Sequence, residues 1–281
     1  MKRISITVVA ALLLTAIGLG VLYWVQYRPR HAAERAPAPP VAEAPPEPAP
    51  AASVPAIRNP IDQSLAAASA AAPATSDPQA LWKHGLEELV GHAAVVRFVQ
   101  TEDFSRRLVV TVDNLARPHA APRLWPVNPT PGRFSVSGDG ELRNIAPENA
   151  GRYAPLVTVL TSVDARRAAA LYVSMYPQLQ KTYEELGYPG RYFNDRVVEV
   201  IDHLLATPEP PASGPLMQLT EVKGSVPSTQ PWLRYEFADP DLQSLSSGQR
   251  ILLRVGPAHR AALKSKLAEL RKLLARAPVS R

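Results

Sequence analysis

Cysteine is absent from the 281 residues, which excludes disulfides, thiolate nucleophiles and cysteine-ligated zinc. A domain without cross-links is held by packing alone, and about 200 residues bury enough surface for that. Histidine is scarce, at positions 31, 84, 92, 119, 203 and 259 only. His84 and His92 are the one close pair, but two helical turns separate them, too far to share a metal directly. No metal site and no cofactor is expected. The strings GxSxG, HExxH, GxxxxGKS/T and GxGxxG do not occur, so the best-known nucleophile, zinc and phosphate-cradle motifs are missing. A charge excess is missing from the body of the chain as well: residues 81–257 hold 18 basic and 19 acidic side chains. The net charge of +6 comes mainly from residues 258–281, where seven Lys/Arg face Glu269 alone. A broad basic surface for nucleic acid is therefore excluded.

What the chain does have begins at its N-terminus. Ile4 to Val25 is an uncharged run of 22 residues, which as a helix at ~1.5 Å per residue spans the roughly 30 Å hydrocarbon core of a bilayer. Tyr23, Trp24 and Tyr27 close it as an interfacial belt. The run exceeds the ~7–15 apolar residues of a cleaved signal, so an uncleaved anchor over residues 1–27 is expected. Lys2 and Arg3 before the span nearly balance Arg28, Arg30 and Arg35 after it. Orientation then rests on the long polar part that follows: N-terminus in the cytoplasm of a bacterial cell, C-terminal domain in the periplasm, single pass through the inner membrane.

Between Arg28 and Ala80 stand 12 prolines and 18 alanines. Proline fixes φ and removes donors, so residues 28–75 read as a disordered, extended Pro/Ala-rich spacer. The Ala-rich stretch from Ile61 to Ala72 is expected to be at most a transient helix.

Residues 76–277 read as one folded domain, mainly α, with one or two small β-hairpins. Ser76 followed by Gln79 marks a helix start. Phe104, Leu108, Val112 and Leu115 form a helical stripe. A short hairpin is expected over Phe134–Leu142, turning at Gly138-Asp139-Gly140. Thr161 to Asp164 fits a capping box for a long helix through Leu171, Met175, Leu179 and Tyr183, which Pro177 kinks or splits. Asn194 or Asp195 caps the next helix, whose stripe is Val197, Val198, Ile201, Leu204 and Leu205. Strands follow at Leu216–Lys223 and Leu233–Phe237. One helix opening at Asp239 carries Leu242 to Leu253. The last helix, Ala258–Arg276, turns Arg260, Lys264, Lys266, Arg271 and Lys272 away from its leucine seam, a face suited to anionic lipid.

Several strings occur in a fixed order: Val112-Asp113-Asn114-Leu115, Arg152-Tyr153, Tyr176-Pro177, Tyr183 to Pro189, Phe193-Asn194-Asp195-Arg196, Ile201-Asp202, Gly248-Gln249-Arg250 and Arg254-Val255-Gly256. In these the chain resembles a bacterial family known as domain of unknown function 3014, over roughly residues 76–275. The resemblance implies the same layout of one span, a Pro-rich spacer and this domain, and it transfers no activity and no site.

The densest polar group is Asn194, Asp195, Arg196, Glu199, Asp202 and His203. Glu199 and His203 are four apart and so share a helix face, as do Asp195 and Glu199. A carboxylate that orients a histidine is half of an acid–base device, so Asp195, Glu199, Asp202 and His203 are the catalytic candidates. Asn114, Arg152, Tyr153, Tyr183, Glu184, Asn194 and Arg196, at the edges of apolar stripes, are the binding candidates. The leading reading is a non-enzymatic envelope module that binds a protein or cell-wall partner; the rival is a periplasmic hydrolase or small-ligand enzyme working from the polar helix face.

Overall fold

The computed structural model describes residues 56–68, 77–211, 213–220 and 231–275, all within one unit, Ser53–Arg281. The span expected at residues 4–25 and most of the spacer lie outside them. Among the described residues no helix is long and apolar enough to cross a membrane.

The domain is mainly helical, as its stripes predict. Its helices are α1 Pro78–Val90, α2 His92–Phe98, α3 Phe104–Leu115, α4 Glu148–Ser162, α5 Ala165–Ser174, α6 Tyr176–Glu185, α7 Phe193–Leu205, α8 Pro240–Ser244, α9 Ser247–Arg254 and α10 Pro257–Leu274. Strands β1 Val136–Ser137, β2 Arg143–Ile145, β3 Leu216–Leu219 and β4 Tyr235–Phe237 join into one antiparallel sheet in chain order. The two expected hairpins are thus halves of a single meander. Arg143 pairs with Met217 to join them, and Met217 pairs with Phe237. Both Met217 and Phe237 are fully buried, packing with Leu242 and Leu253 in a small core of their own.

The main core lies among α1, α3, α5, α6 and α7, around Trp82, Phe104, Val109, Leu179, Tyr183 and Phe193. An aromatic ring removes ~150–250 Å² from water, so these rings dominate the burial. Trp82 keeps its polar end satisfied by donating from Nε1 to Ser105 Oγ at 2.7 Å. Helix α7 is buried on most of its circumference, by Phe193, Val197, Val198, Val200, Ile201 and Leu204, and it is the axis on which the rest is assembled.

Pro177 splits the long helix as expected, ending α5 and sitting in the first turn of α6. Other helix ends differ from expectation. The cap of α1 is Asp77, accepting from Gln79 N, while Ser76 lies outside the described residues. The Thr161–Asp164 box does not form. Helix α4 runs through Ser162, Thr161 Oγ1 donates back to Val157 O at 2.8 Å, and Asp164 alone caps α5 by accepting from Arg167 N. Helix α7 starts after Tyr192 with no side-chain cap, because Asn194 is drawn inward and Asp195 is engaged elsewhere. The helix expected from Asp239 to Leu253 is two, α8 and α9, since Ser246 and Gln249 build a reciprocal capping box that restarts the chain.

The spacer ends earlier than composition implies. Gln63–Ala68 forms a 3-10 turn packed on α5, with Leu65 buried in the main core. Residues 56–61 lie along the start of α7, so the folded part includes 56–68.

Candidate functional site

Asp113 is the centre of the site, and nothing in its local sequence marks it. It sits in the last turn of α3 and is 8 % exposed. Its buried row on α3 is Ser105, Val109 and Asp113, one residue round from the Phe104/Leu108/Val112 stripe. Across from it α7 brings Arg196, whose Nε donates to Asp113 Oδ1 at 2.9 Å while one Nη donates to the Asp113 carbonyl at 2.9 Å. The other oxygen, Oδ2, accepts from Arg117 at 2.7 Å and from the Tyr188 hydroxyl at 2.9 Å. Arg117 also reaches that hydroxyl. Four donors therefore hold one acidic residue, three of them on its carboxylate, and compensate a charge that the protein largely covers.

The tyrosines are fixed as tightly. Tyr188 lies flat on Tyr183, ring centroids 4.5 Å apart and planes 15° from parallel. Burial, reinforced by its hydrogen bond to the Asp113 carboxylate and by that charge, raises the Tyr188 phenol above its ordinary value. Burial and then the Asp113 charge raise Tyr183 likewise.

The fourth wall is the end of the spacer. Asp195 Oδ1 accepts from Asn59 N at 2.6 Å and Asn59 Nδ2 at 3.1 Å, and its Oδ2 accepts from Arg58 N at 3.1 Å. Asn194 Nδ2 donates to Asn59 O and to Leu274 O, each at 2.9 Å. Tyr192 accepts from Ile61 N at 3.1 Å. A side chain in the first turn of α7 thus grips the chain where it enters the fold, and its neighbour holds the far end of α10 as well.

These groups surround an open cleft of about 520 Å³, lined by Arg58, Arg117, Arg191, Arg196, Asp113, Asp195, Glu199 and the tyrosines 183, 188 and 192. Arg196 also donates to Glu199 at 2.8 Å. The guanidinium groups of Arg58 and Arg191, both exposed, make no hydrogen bond or ion pair among the described residues.

Of the residues singled out in the sequence, Tyr183, Asp195, Arg196 and Glu199 meet at this cleft, with Asn194 beneath it. The others are elsewhere. Asp202 pairs with Arg271 of α10. His203 turns its Nε2 into the protein, buried and without a hydrogen-bond partner among the described residues, and no bond joins it to Glu199. The expected Glu199–His203 alignment is absent because Glu199 turns to Arg196 and pairs with its guanidinium at 2.8 Å. Arg152 donates to the carbonyls of Pro131 and Gly132 and to Asn149, staking down the Pro-rich loop, and lies over Tyr153. Asn114 contributes its carbonyl to Ser247 Oγ. Glu184 accepts from Gln180 on the outer side of α6. Arg117, Tyr188, Arg191 and Tyr192 went unmarked, although the resemblance strings contain Asp113 and Tyr188.

The basic face expected on α10 is not free for lipid. Arg260 is buried and pairs with Glu209, Lys264 donates to Thr207 O, Lys266 to Val163 O and Glu269, and Arg271 to Asp202. Of the five, Lys272 alone makes no hydrogen bond or ion pair among the described residues, while Arg271 is paired but still 43 % exposed. Among the described residues no group of three or more His, Asp or Glu is placed to hold a metal.

No curated protein and no solved structure matches this chain. A family model described as a protein of unknown function (DUF3014) matches residues 104–271. That stretch is more than half of the chain and carries every cleft residue except the spacer end at 56–61. The chain belongs to the DUF3014 family.

Proposed function

We propose that this protein is a single-pass envelope protein of the bacterial inner membrane, with its N-terminus cytoplasmic. Its folded part is a non-enzymatic binding module held in the periplasm by the Pro/Ala-rich spacer. The observation that carries the reading is the grip of Asp195 on Arg58 N and Asn59 N. The chain arriving from the spacer forms a wall of the cleft, so the tether and the binding face are one structure. The cleft is preformed: Tyr183 and Tyr188 are stacked, its central carboxylate holds three donors, and its rim offers Arg and Tyr, side chains enriched in binding hot spots. Interactions of that kind fix an occupant without needing a reacting group.

Two experiments test this. A periplasm-dependent reporter fused after residue 281 should be active, and silence there overturns the topology. A photocrosslinking residue at position 191 of the full-length protein should capture a species that the same residue at position 160, on the exposed face of α4, does not. Identical products from both positions overturn the cleft as the binding face.

A further inference from the structure

We propose that the cleft is a receptor for an acidic peptide segment, with Arg58 and Arg191 each taking one carboxylate and Tyr188 and Tyr192 supporting the chain between them. This rests on the reading of the cleft as the binding face and names what it takes. The acidic groups of the cleft already hold donors: Asp113 accepts from Arg196, Arg117 and Tyr188, Asp195 from two backbone N–H groups and Asn59 Nδ2, and Glu199 from Arg196. Two guanidinium groups on the rim, those of Arg58 and Arg191, have no hydrogen-bond or ion-pair partner among the described residues. An exposed arginine beside aromatic rings can form bidentate bonds to a carboxylate, and its rigid fork lowers the entropy lost per hydrogen bond.

The charge count narrows the ligand. Arg58, Arg117, Arg191 and Arg196 face Asp113, Asp195 and Glu199, four positive against three negative, a net +1. A dense polyanion such as a phosphate chain meets three fixed carboxylates and gains little. Separated single charges, each directed to its own arginine, avoid them. The open form and the volume of about 520 Å³ suit a few residues of extended peptide rather than an enclosed small molecule.

The test uses the full-length protein in detergent and fluorescence anisotropy. The probes are a dye-labelled hexapeptide with glutamate at alternate positions, its glutamine counterpart and an inorganic polyphosphate competitor. The glutamate peptide should bind, weaken at least tenfold in 0.5 M salt, and be lost in the R58A/R191A variant. Both side chains are exposed and make no hydrogen bond or ion pair among the described residues, so the variant's melting temperature should match wild type. The glutamine peptide should bind at least tenfold less tightly. No binding of the glutamate peptide, equal binding of the two peptides, or full retention by the double variant overturns the proposal, as does polyphosphate displacing the peptide at lower charge concentration than the peptide itself. If the peptide fails while a crosslinker at position 191 still captures a specific species, the ligand class falls and the cleft stands; if both fail, both readings fall.

Discussion

Arg196 and Asp113, 83 residues apart in sequence, hold each other by two bonds of 2.9 Å, one to the carboxylate and one to the backbone carbonyl. Their side chains are 17 % and 12 % exposed, so the pair is largely shielded from solvent. Asp113→Ala leaves Arg117 without an anion and Arg196 with Glu199 alone, and should cost about 3 kcal/mol, the low end for breaking a buried pair because the cleft admits water. Arg196→Met in the same chain should recover part of that loss. Urea denaturation of the single and double variants checks both, and purely additive losses would mean the pair is not coupled.

Asn194 joins three parts of the chain: Tyr172 through its hydroxyl at 3.2 Å, the spacer end through Asn59 O and α10 through Leu274 O. Asn194→Ala should destabilise by about 2–3 kcal/mol, since buried groups lose partners on every side. It should also loosen residues 56–61, so trypsin should cut after Arg58 several-fold faster than in wild type. An unchanged cleavage rate would show that Asp195 alone holds the segment.

Gly248 and Gly85 are both helical glycines with opposite expectations. A Cβ at Gly248 would stand 2.8 Å from the Leu115 carbonyl oxygen and 2.5 Å from Leu204 Cδ2, and the backbone atom cannot move aside. Gly248→Ala should therefore cost about 1–3 kcal/mol. At Gly85 the close atoms all belong to the end of the Leu171 side chain. Gly85→Ala should be the milder change, the gain in helix propensity of about 1 kcal/mol offsetting much of the repacking. Thermal melts of the two variants decide the order.

The buried tyrosines set a basic limit on stability. Burial, with the neighbouring phenols, raises Tyr172, and burial dominates the upward shift of Tyr176, Tyr183 and Tyr188. A phenol whose folded value lies above its unfolded value of about 10 stabilises fully below that pH. The contribution is lost as pH climbs from there toward the folded values. The urea midpoint should be flat from pH 7 to 9 and fall steeply above about 10. Tyr188→Phe, which removes the hydroxyl between Asp113 and Arg117, should cost about 1 kcal/mol at neutral pH and soften the fall.

The apolar stripes were legible because burial of a helix face leaves a period of 3.6 in the sequence. They located α1, α3, α6, α7 and α10, and Pro177 announced the break before α6 because its ring forbids an unbroken helix there. Helix ends were harder to read. Ser246 and Gln249 complete a capping box within four residues, yet the leucines on either side of it read as one helix from Asp239 to Leu253. Asp195 has the same side chain as a capping residue but is claimed by backbone N–H groups 136 and 137 residues away.

The site was half legible for the same reason. Glu199 and His203 stand four apart and invited pairing, yet Arg196 offers Glu199 a full charge three residues away. Asp113 was invisible because a polar residue between apolar ones reads as solvent-facing. It is buried only because α7 delivers Arg196 and the loop before α7 delivers Tyr188. The basic residues of α10 read as a free face, and they are bound to loops and helices from the rest of the domain.

By itself the sequence determined the helical class, the absence of cysteine chemistry, the balanced charge of the body and the string order that marks the family. These follow from composition and from periods shorter than one helix. Tertiary structure alone decided the sheet's single meander, the capture of residues 56–68 by the domain, and the cleft around Asp113. Each depends on groups tens of residues apart meeting at hydrogen-bond distance, and no local pattern encodes which distant donor a buried acceptor will find.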